Sequence, residues 1–205
     1  MTDEASLVLV VDDDPAIRAA LDGLFRSVGH RVRTFPTARA FQESPREDVP
    51  GCLVLDVRLP GFSGLEFQRE LARLGEAIPI VFITGHGDVP MSVAAMKAGA
   101  IEFLTKPFRD QDLLDAVHRG IDIDRARRAR AAEAARLNGL FAMLTARERE
   151  IFTRVASGRM NKQIAADLGL SEVTIKVHRA QVMQKLQART LADLVRIADR
   201  LGIGG

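Results

Sequence analysis

Leu53-Val54-Leu55 runs straight into Asp56, and Val57-Arg58-Leu59-Pro60-Gly61 follows. A short apolar run that stops at turn residues reads as a strand buried on both faces, as a parallel sheet requires. Open parallel sheets put their ligands just beyond the carboxyl ends of the strands, so Asp56 is expected at the mouth of the fold. Leu7-Val8-Leu9-Val10-Val11 ends the same way, in Asp12-Asp13-Asp14. If the two strands are neighbours, their carboxylates converge. Like charges at close range cannot all stay ionised and unpaired. A divalent cation relieves that conflict, and Mg²⁺ suits a sparse carboxylate site that keeps its waters.

The rest of the first 122 residues alternates strand and helix signals. A helix is expected from Pro15, capped by Asp14, with Ile17, Leu21, Leu24, Phe25 and Val28 as its apolar stripe. Further strands are expected at Arg31–Phe35, at Ile80–Ile83 ending in Thr84, and at Ile101–Leu104 ending in Thr105-Lys106-Pro107. Helices fall between them at 38–43, from Ser63, at 91–98 and from about Asp110. The fold class is therefore an α/β doubly wound, five-stranded parallel sheet. Its strand ends supply Asp12, Asp13, Asp56, Thr84 and Lys106. The acids hold a cation, Asp56 is a nucleophile, Lys106 offers positive charge to an incoming anion, and Thr84 offers a hydroxyl. Together they suit phosphoryl transfer onto a carboxylate.

Charge divides the chain. Residues 1–122 carry 13 Lys/Arg against 19 Asp/Glu, a net of −6, and residues 123–205 carry 16 against 8, a net of +8. An acidic half joined to a basic half suggests two domains, the basic one facing a polyanion. Three segments follow: 1–122, a connector at 123–141, and 142–205. The connector lacks Pro, is rich in Ala and Arg, and is expected to be helical, with Asn138-Gly139 interrupting an apolar group around Leu137 and Leu144. A single cysteine, Cys52, excludes an internal disulfide framework and fits a cytoplasmic protein; it reads as a small buried hydrophobe. No apolar run approaches a membrane span.

The basic segment is all helix. Thr145-Ala146-Arg147-Glu148 forms a capping box before Ile151, Phe152 and Val155. A short helix at 161–168, a turn at Gly169 and a helix capped by Ser171 make a helix-turn-helix. The last of these, from about Glu172 to Leu186, carries Val173, Val177 and Val182 among its apolar positions. Its basic face comprises Lys176, His178, Arg179, Gln181 and Lys185, suited to phosphates and the major groove of double-stranded DNA. Lys176 is the first choice for a base contact. Arg179, Lys162 and Lys185 suit phosphates, Thr174 suits either, and Val177 suits base contact or packing.

Two stretches resemble known families. Val11-Asp12-Asp13-Asp14, Leu55 to Gly64, Ile83-Thr84-Gly85-His86-Gly87-Asp88 and Phe103-Leu104-Thr105-Lys106-Pro107-Phe108 resemble the receiver domain of two-component response regulators. The run Thr84 to Met96 is similar to the FixJ-type subgroup. This resemblance implies that a sensor histidine kinase phosphorylates Asp56. It also implies that Asp12, Asp13 and Asp56 hold Mg²⁺ with the backbone carbonyl of Arg58, and that Thr84 and Phe103 form a switch pair. Lys106-Pro107 would be cis, and Arg58 and His86 would flank the acyl phosphate. Leu144 to Glu150, Asn161 to Ala165, Thr174 to Arg179 and Lys185-Leu186 resemble the LuxR-type DNA-binding domain. That resemblance implies a four-helix domain whose last helix, with Leu191, Leu194, Val195, Ala198 and Leu201, can pair in a dimer. The expected whole is a regulator of transcription rather than an enzyme, a homodimer when phosphorylated, with no membrane partner. Two rivals stand beside it. One is an aspartyl-phosphate phosphatase, disfavoured because Arg58 occupies the place of a second acid two residues after Asp56. The other is a regulator or scaffold that binds DNA independently of phosphorylation.

Overall fold

The computed structural model describes residues 6–203. The chain separates into two compact units that meet between Arg128 and Ala129. The first holds β1 (Leu7–Val11), α1 (Pro15–Ser27), β2 (Arg31–Phe35), α2 (Ala38–Gln42) and β3 (Gly51–Asp56). A small antiparallel ribbon follows, β4 (Arg58–Leu59) with β5 (Phe62–Ser63), then α3 (Gly64–Arg73), β6 (Ile80–Thr84), α4 (Val89–Lys97) and β7 (Glu102–Thr105). α5 (Asp110–Ala142) begins in this unit and ends in the next.

The sheet is five-stranded and parallel, in the order β2-β1-β3-β6-β7. This is the expected doubly wound architecture, and the order reverses direction between β1 and β3. Two strand bounds differ from expectation. β3 starts at Gly51 because Leu7 pairs with it, and β7 runs one residue later because Thr84 pairs with Thr105.

Both faces of the sheet are apolar, since alternate residues point to opposite sides. Leu9, Val11, Leu53, Leu55 and Phe82 pack with Phe41 and Phe67 on one face. Val8, Val10, Cys52, Val54 and Val81 pack with Phe25, Leu113 and Val117 on the other. Burial of each such large side chain is worth about 1.5–3 kcal/mol. Val28, expected in the α1 stripe, is instead the exposed C-cap of that helix. α5 lies close against β3: a Cβ at Gly120 would come within 2.6 Å of the Cys52 Sγ. One turn later the buried Asp124 accepts from the Gly51 N–H at 3.0 Å and from Arg127 and Arg128. Burial opposes that charge, but the three donors outweigh it and hold the carboxyl below its ordinary value.

α5 runs unbroken through Asn138-Gly139, where an interruption is expected from sequence. Leu137, Leu140 and Leu144 are buried on this side of the chain. Their burial outweighs the roughly 1 kcal/mol cost of a glycine inside a helix. The second unit continues with α6 (Ala146–Ala156), α7 (Asn161–Leu168), α8 (Glu172–Lys185) and α9 (Leu191–Leu201). Ile151, Phe152, Ile164, Ile175, Val182 and Leu194 form its core. Gly169 closes α7 in the left-handed region at φ +63°, which glycine adopts without steric cost.

α8 faces differently from the sequence expectation. Ile175 and Val182, seven residues apart, point inward. Val173 and Val177 are 69% and 53% exposed and lie outside the core stripe. At 3.6 residues per turn they cannot share a face with Ile175 and Val182. α9 is also corrected in part. Leu194 and Ala198, expected at a pairing face, are buried in the unit's own core, while Leu191 stays exposed. Among the described residues no helix is long and apolar enough to cross a membrane.

Candidate functional site

Adjacent parallel strands deliver the acids to one place. β1 and β3 pair Val11 with Leu55, so the residues that follow, Asp12 and Asp56, emerge side by side. Ligand atoms of Asp12, Asp13 and Asp56 all lie within 4.8 Å of one another. Asp12 is fully buried, Asp56 nearly so, and Asp13 is exposed. Lys106, at the end of β7, donates its Nζ to Asp12 Oδ2 at 2.7 Å and to Asp56 Oδ2 at 3.2 Å. The Asp14 N–H donates to Asp12 Oδ1 at 2.9 Å, and the Arg58 N–H to Asp56 Oδ1 at 3.1 Å. The Lys106–Pro107 peptide is cis.

Burial pushes the Asp56 carboxyl up, and the Arg58 N–H and Lys106 only partly offset it. Burial works against charge on Lys106 too, yet the hydrogen bond to Asp12 and the nearby carboxylates hold its pKa above the ordinary value. An acid beside a lysine would ordinarily be lowered. Asp56 goes the other way because one ammonium serves two carboxylates that are both largely out of water. Three carboxylates and one ammonium leave two negative charges uncompensated. Oxygen donors at this spacing match a hard divalent cation.

Thr84 ends β6 fully buried, and its Oγ1 accepts from the His86 N–H at 3.2 Å. Phe103 is half-buried on β7, with its ring 6.2 Å from that of Phe82. Thr84 and Phe103 converge on Gly87, which the receiver-like motif contains but to which sequence alone assigns no role. A Cβ there would lie 2.8 Å from Phe103 Cε1 and 3.0 Å from Thr84 Cγ2. Gly64, in another stretch of that motif, also has no role legible from sequence: a Cβ at that position would collide with the carbonyl oxygen of Asp56. Arg18 also lacked any local signal, and its Nη1 donates to the Asp12 carbonyl at 2.7 Å.

In the second unit α8 presents Lys176, Val173 and Val177 to solvent. The other expected contacts are placed differently. Arg179 is half-buried and donates its Nη1 to Asn161 Oδ1 at 2.5 Å, at the start of α7 beside the exposed Lys162. The Thr174 hydroxyl pairs with Ser171 Oγ at 2.9 Å as part of the α8 N-cap. Lys185 is drawn away from the exposed face. Its Nζ donates to Glu148 Oε2 at 2.6 Å, and that same oxygen accepts the Thr145 N–H at 2.8 Å. The ammonium thus ties the end of α8 to the start of α6, which is a structural task.

The Lys185 hydrogen bond holds the Glu148 carboxyl below its ordinary value, against the opposing effect of burial. A depressed folded value means a contribution that is complete above the unfolded carboxylate range and disappears as pH falls through the folded value. Acid titration of the second unit, followed by far-UV circular dichroism, is expected to show unfolding below the ordinary glutamate range. Glu148→Gln should flatten that dependence. Equal acid sensitivity in both proteins would count against the pair as its source.

Comparison with known proteins matches both units. The family described as response regulator receiver domain covers residues 8–118, and that described as bacterial regulatory proteins, luxR family, covers residues 142–198. The chain is 56% identical to nodulation protein W of Bradyrhizobium diazoefficiens, over 97% of this chain and 87% of that protein. It is 41% identical to transcriptional regulatory protein FixJ of Rhizobium meliloti, over 96% of this chain and 97% of that one. Among solved structures, response regulator StyR superposes with a TM-score of 0.88 at 50% identity, covering 96% of this chain and 99% of that one. Full-length FixJ from B. japonicum gives 0.58 at 40% identity, over 97% of this chain and 98% of its own.

Proposed function

Because the chain belongs to the two-component response regulators, joining a receiver domain to a LuxR-type DNA-binding domain, we infer that phosphorylation of Asp56 by a sensor histidine kinase gates its action at promoters. The observation that carries this reading is the shared lysine: Lys106 reaches both Asp12 and Asp56 from a third strand. A carboxylate oxygen of Asp56 attacks phosphorus, the P–N bond to the kinase imidazole breaks, and its electron pair stays on that nitrogen. Lys106 then follows the charge onto the new phosphoryl oxygens. Asp12, Asp13 and Asp56, with the Arg58 carbonyl, are the residues that would hold Mg²⁺, which supplies charge neutralisation for phosphoryl oxygens. The residues present fit that ion by donor type and by uncompensated charge.

The acyl phosphate then draws the Thr84 hydroxyl inward and buries the half-exposed Phe103. That repacks the face made by α4 and β7, a switch biased by one local charge. α4 already exposes Val89, Val93 and Met96, apolar area that a homodimer of phosphorylated chains would cover. The receiver occupies 1–122, the helical connector 123–141 and the DNA-binding domain 142–205. The protein works in the cytoplasm, as a regulator that turns over no external substrate. α8 lies in the major groove with Lys176 and Val177 against base edges and with Lys162, Thr174 and Arg179 at phosphates. Lys185 serves mainly to hold Glu148.

Sedimentation and duplex binding, each with and without acetyl phosphate and Mg²⁺, test this reading. Phosphorylated protein is expected to gain mass as a dimer and to bind a two-fold symmetric site more tightly than the untreated chain. Equal affinity in both states would favour the phosphorylation-independent rival.

A further inference from the structure

Asp12 is held at four points. Its N–H donates to the Phe35 carbonyl at 3.2 Å, its Oδ1 accepts from the Asp14 N–H, its Oδ2 from Lys106, and its own carbonyl from Arg18 Nη1 at 2.7 Å. The fourth of these has a wider reach. The backbone N–H of Arg18 donates to the Asp14 carbonyl at 3.1 Å. One residue therefore ties the carbonyls on both sides of Asp13, through its guanidinium at Asp12 and its main chain at Asp14. Asp13 is the exposed acid of the three, and its neighbours' attachment to Arg18 fixes the peptide that carries it.

We propose that Arg18 is a positioning residue of the acid pocket, closing the Asp12–Asp14 turn so that the Asp12 and Asp13 carboxylates converge on a divalent cation. The proposal rests on the reading of that pocket as a cation-dependent phosphoacceptor site. Partners that orient metal ligands commonly change metal affinity by 10–100-fold when removed. The sign of the effect separates positioning from simple electrostatics. Removing a positive charge beside an acidic cluster should, by Coulomb's law alone, favour a bound cation. Loss of positioning should do the opposite.

Calorimetric titration of the full chain with Mg²⁺ tests this, comparing wild type with Arg18→Met and Arg18→Lys. Met keeps the aliphatic stem without charge or donor, and Lys restores one charged donor. Arg18→Met is expected to weaken Mg²⁺ binding about tenfold, with Arg18→Lys in between. The Mg²⁺ concentration needed for half-maximal phosphorylation by acetyl phosphate should rise in parallel, while the rate at saturating Mg²⁺ changes much less. A thermal midpoint close to wild type would establish that the fold is intact. Mg²⁺ binding by Arg18→Met as tight as wild type, or tighter, overturns the proposal. Failure of the wild type itself to bind Mg²⁺ would instead overturn the reading of the pocket on which it stands.

Discussion

Asp56→Asn is expected to abolish phosphorylation by acetyl phosphate at Mg²⁺ concentrations that label the wild type fully. An amide oxygen keeps the shape and the hydrogen bond from the Arg58 N–H, but lacks the charge that makes Asp56 a nucleophile. Asp12 cannot take over, because it is fully buried, whereas Asp56 keeps a small exposed edge at the rim. Asp13 is the credible substitute acceptor, being exposed at the same rim. Intact mass after treatment with phosphodonor reads the result directly, and peptide mapping reads the position. A phosphoryl group on Asp13 in the Asn variant would show that the pocket, not Asp56, selects the acceptor. Asp13→Asn should leave the nucleophile in place and weaken the reaction through the lost cation ligand, so added Mg²⁺ should recover part of it.

On DNA the α8 residues should separate into three behaviours. Lys176→Ala is expected to cost roughly 1–3 kcal/mol on the preferred duplex and to relax discrimination at one base pair. Its neighbour Val177 is 53% exposed and lies outside the core cluster of the second unit, and apolar contact with a thymine methyl is the use of such a side chain in the groove. Arg179→Ala should weaken all sequences alike and reduce the salt slope by about one unit. Asn161 holds that guanidinium in place, so Asn161→Ala should reproduce part of the loss. Lys185→Ala should lower the thermal midpoint of the second unit and leave the salt slope unchanged, since its charge is spent on Glu148. Titrations on specific and scrambled duplexes at several salt concentrations distinguish the three. If Lys185→Ala changed the slope as much as Arg179→Ala, the assignment of Lys185 to the scaffold would be wrong.

The parts that local pattern could reveal were those whose meaning is local. An apolar run ending in Asp12, Asp56, Thr84 or Lys106 announces both a strand and a strand-end side chain, and parallel pairing does the rest. Caps were legible for the same reason: Thr145 and Ser171 accept from N–H groups three residues on. What local pattern could not show were partnerships across long stretches. Lys185 and Glu148 are 37 residues apart, and Arg179 and Asn161 are 18 apart. In sequence Glu148 reads as a capping-box acid and Lys185 and Arg179 as phosphate contacts, with nothing to pair either base with its distant partner. The valines of α8 misled because two overlapping apolar spacings, one through Val173 and Val177 and one through Ile175 and Val182, both fit a helix. Only the position of α6 and α7 decides which one is inside. Gly64 and Gly87 matter through what their missing side chains permit, and that depends on neighbours brought close by the fold.

Cys52 lies under the glycine that brings α5 against β3, with its Sγ 3.5 Å from the Pro79 carbonyl, and burial pushes its thiol up to about 12. At neutral pH such a thiol stays protonated. Peroxides, disulfides and alkylating agents all react through the thiolate. The tight seam at the back of the sheet therefore shields the chain's one cysteine from oxidants. Changes in the thiol redox state of the cell find no ready thiolate in the receiver.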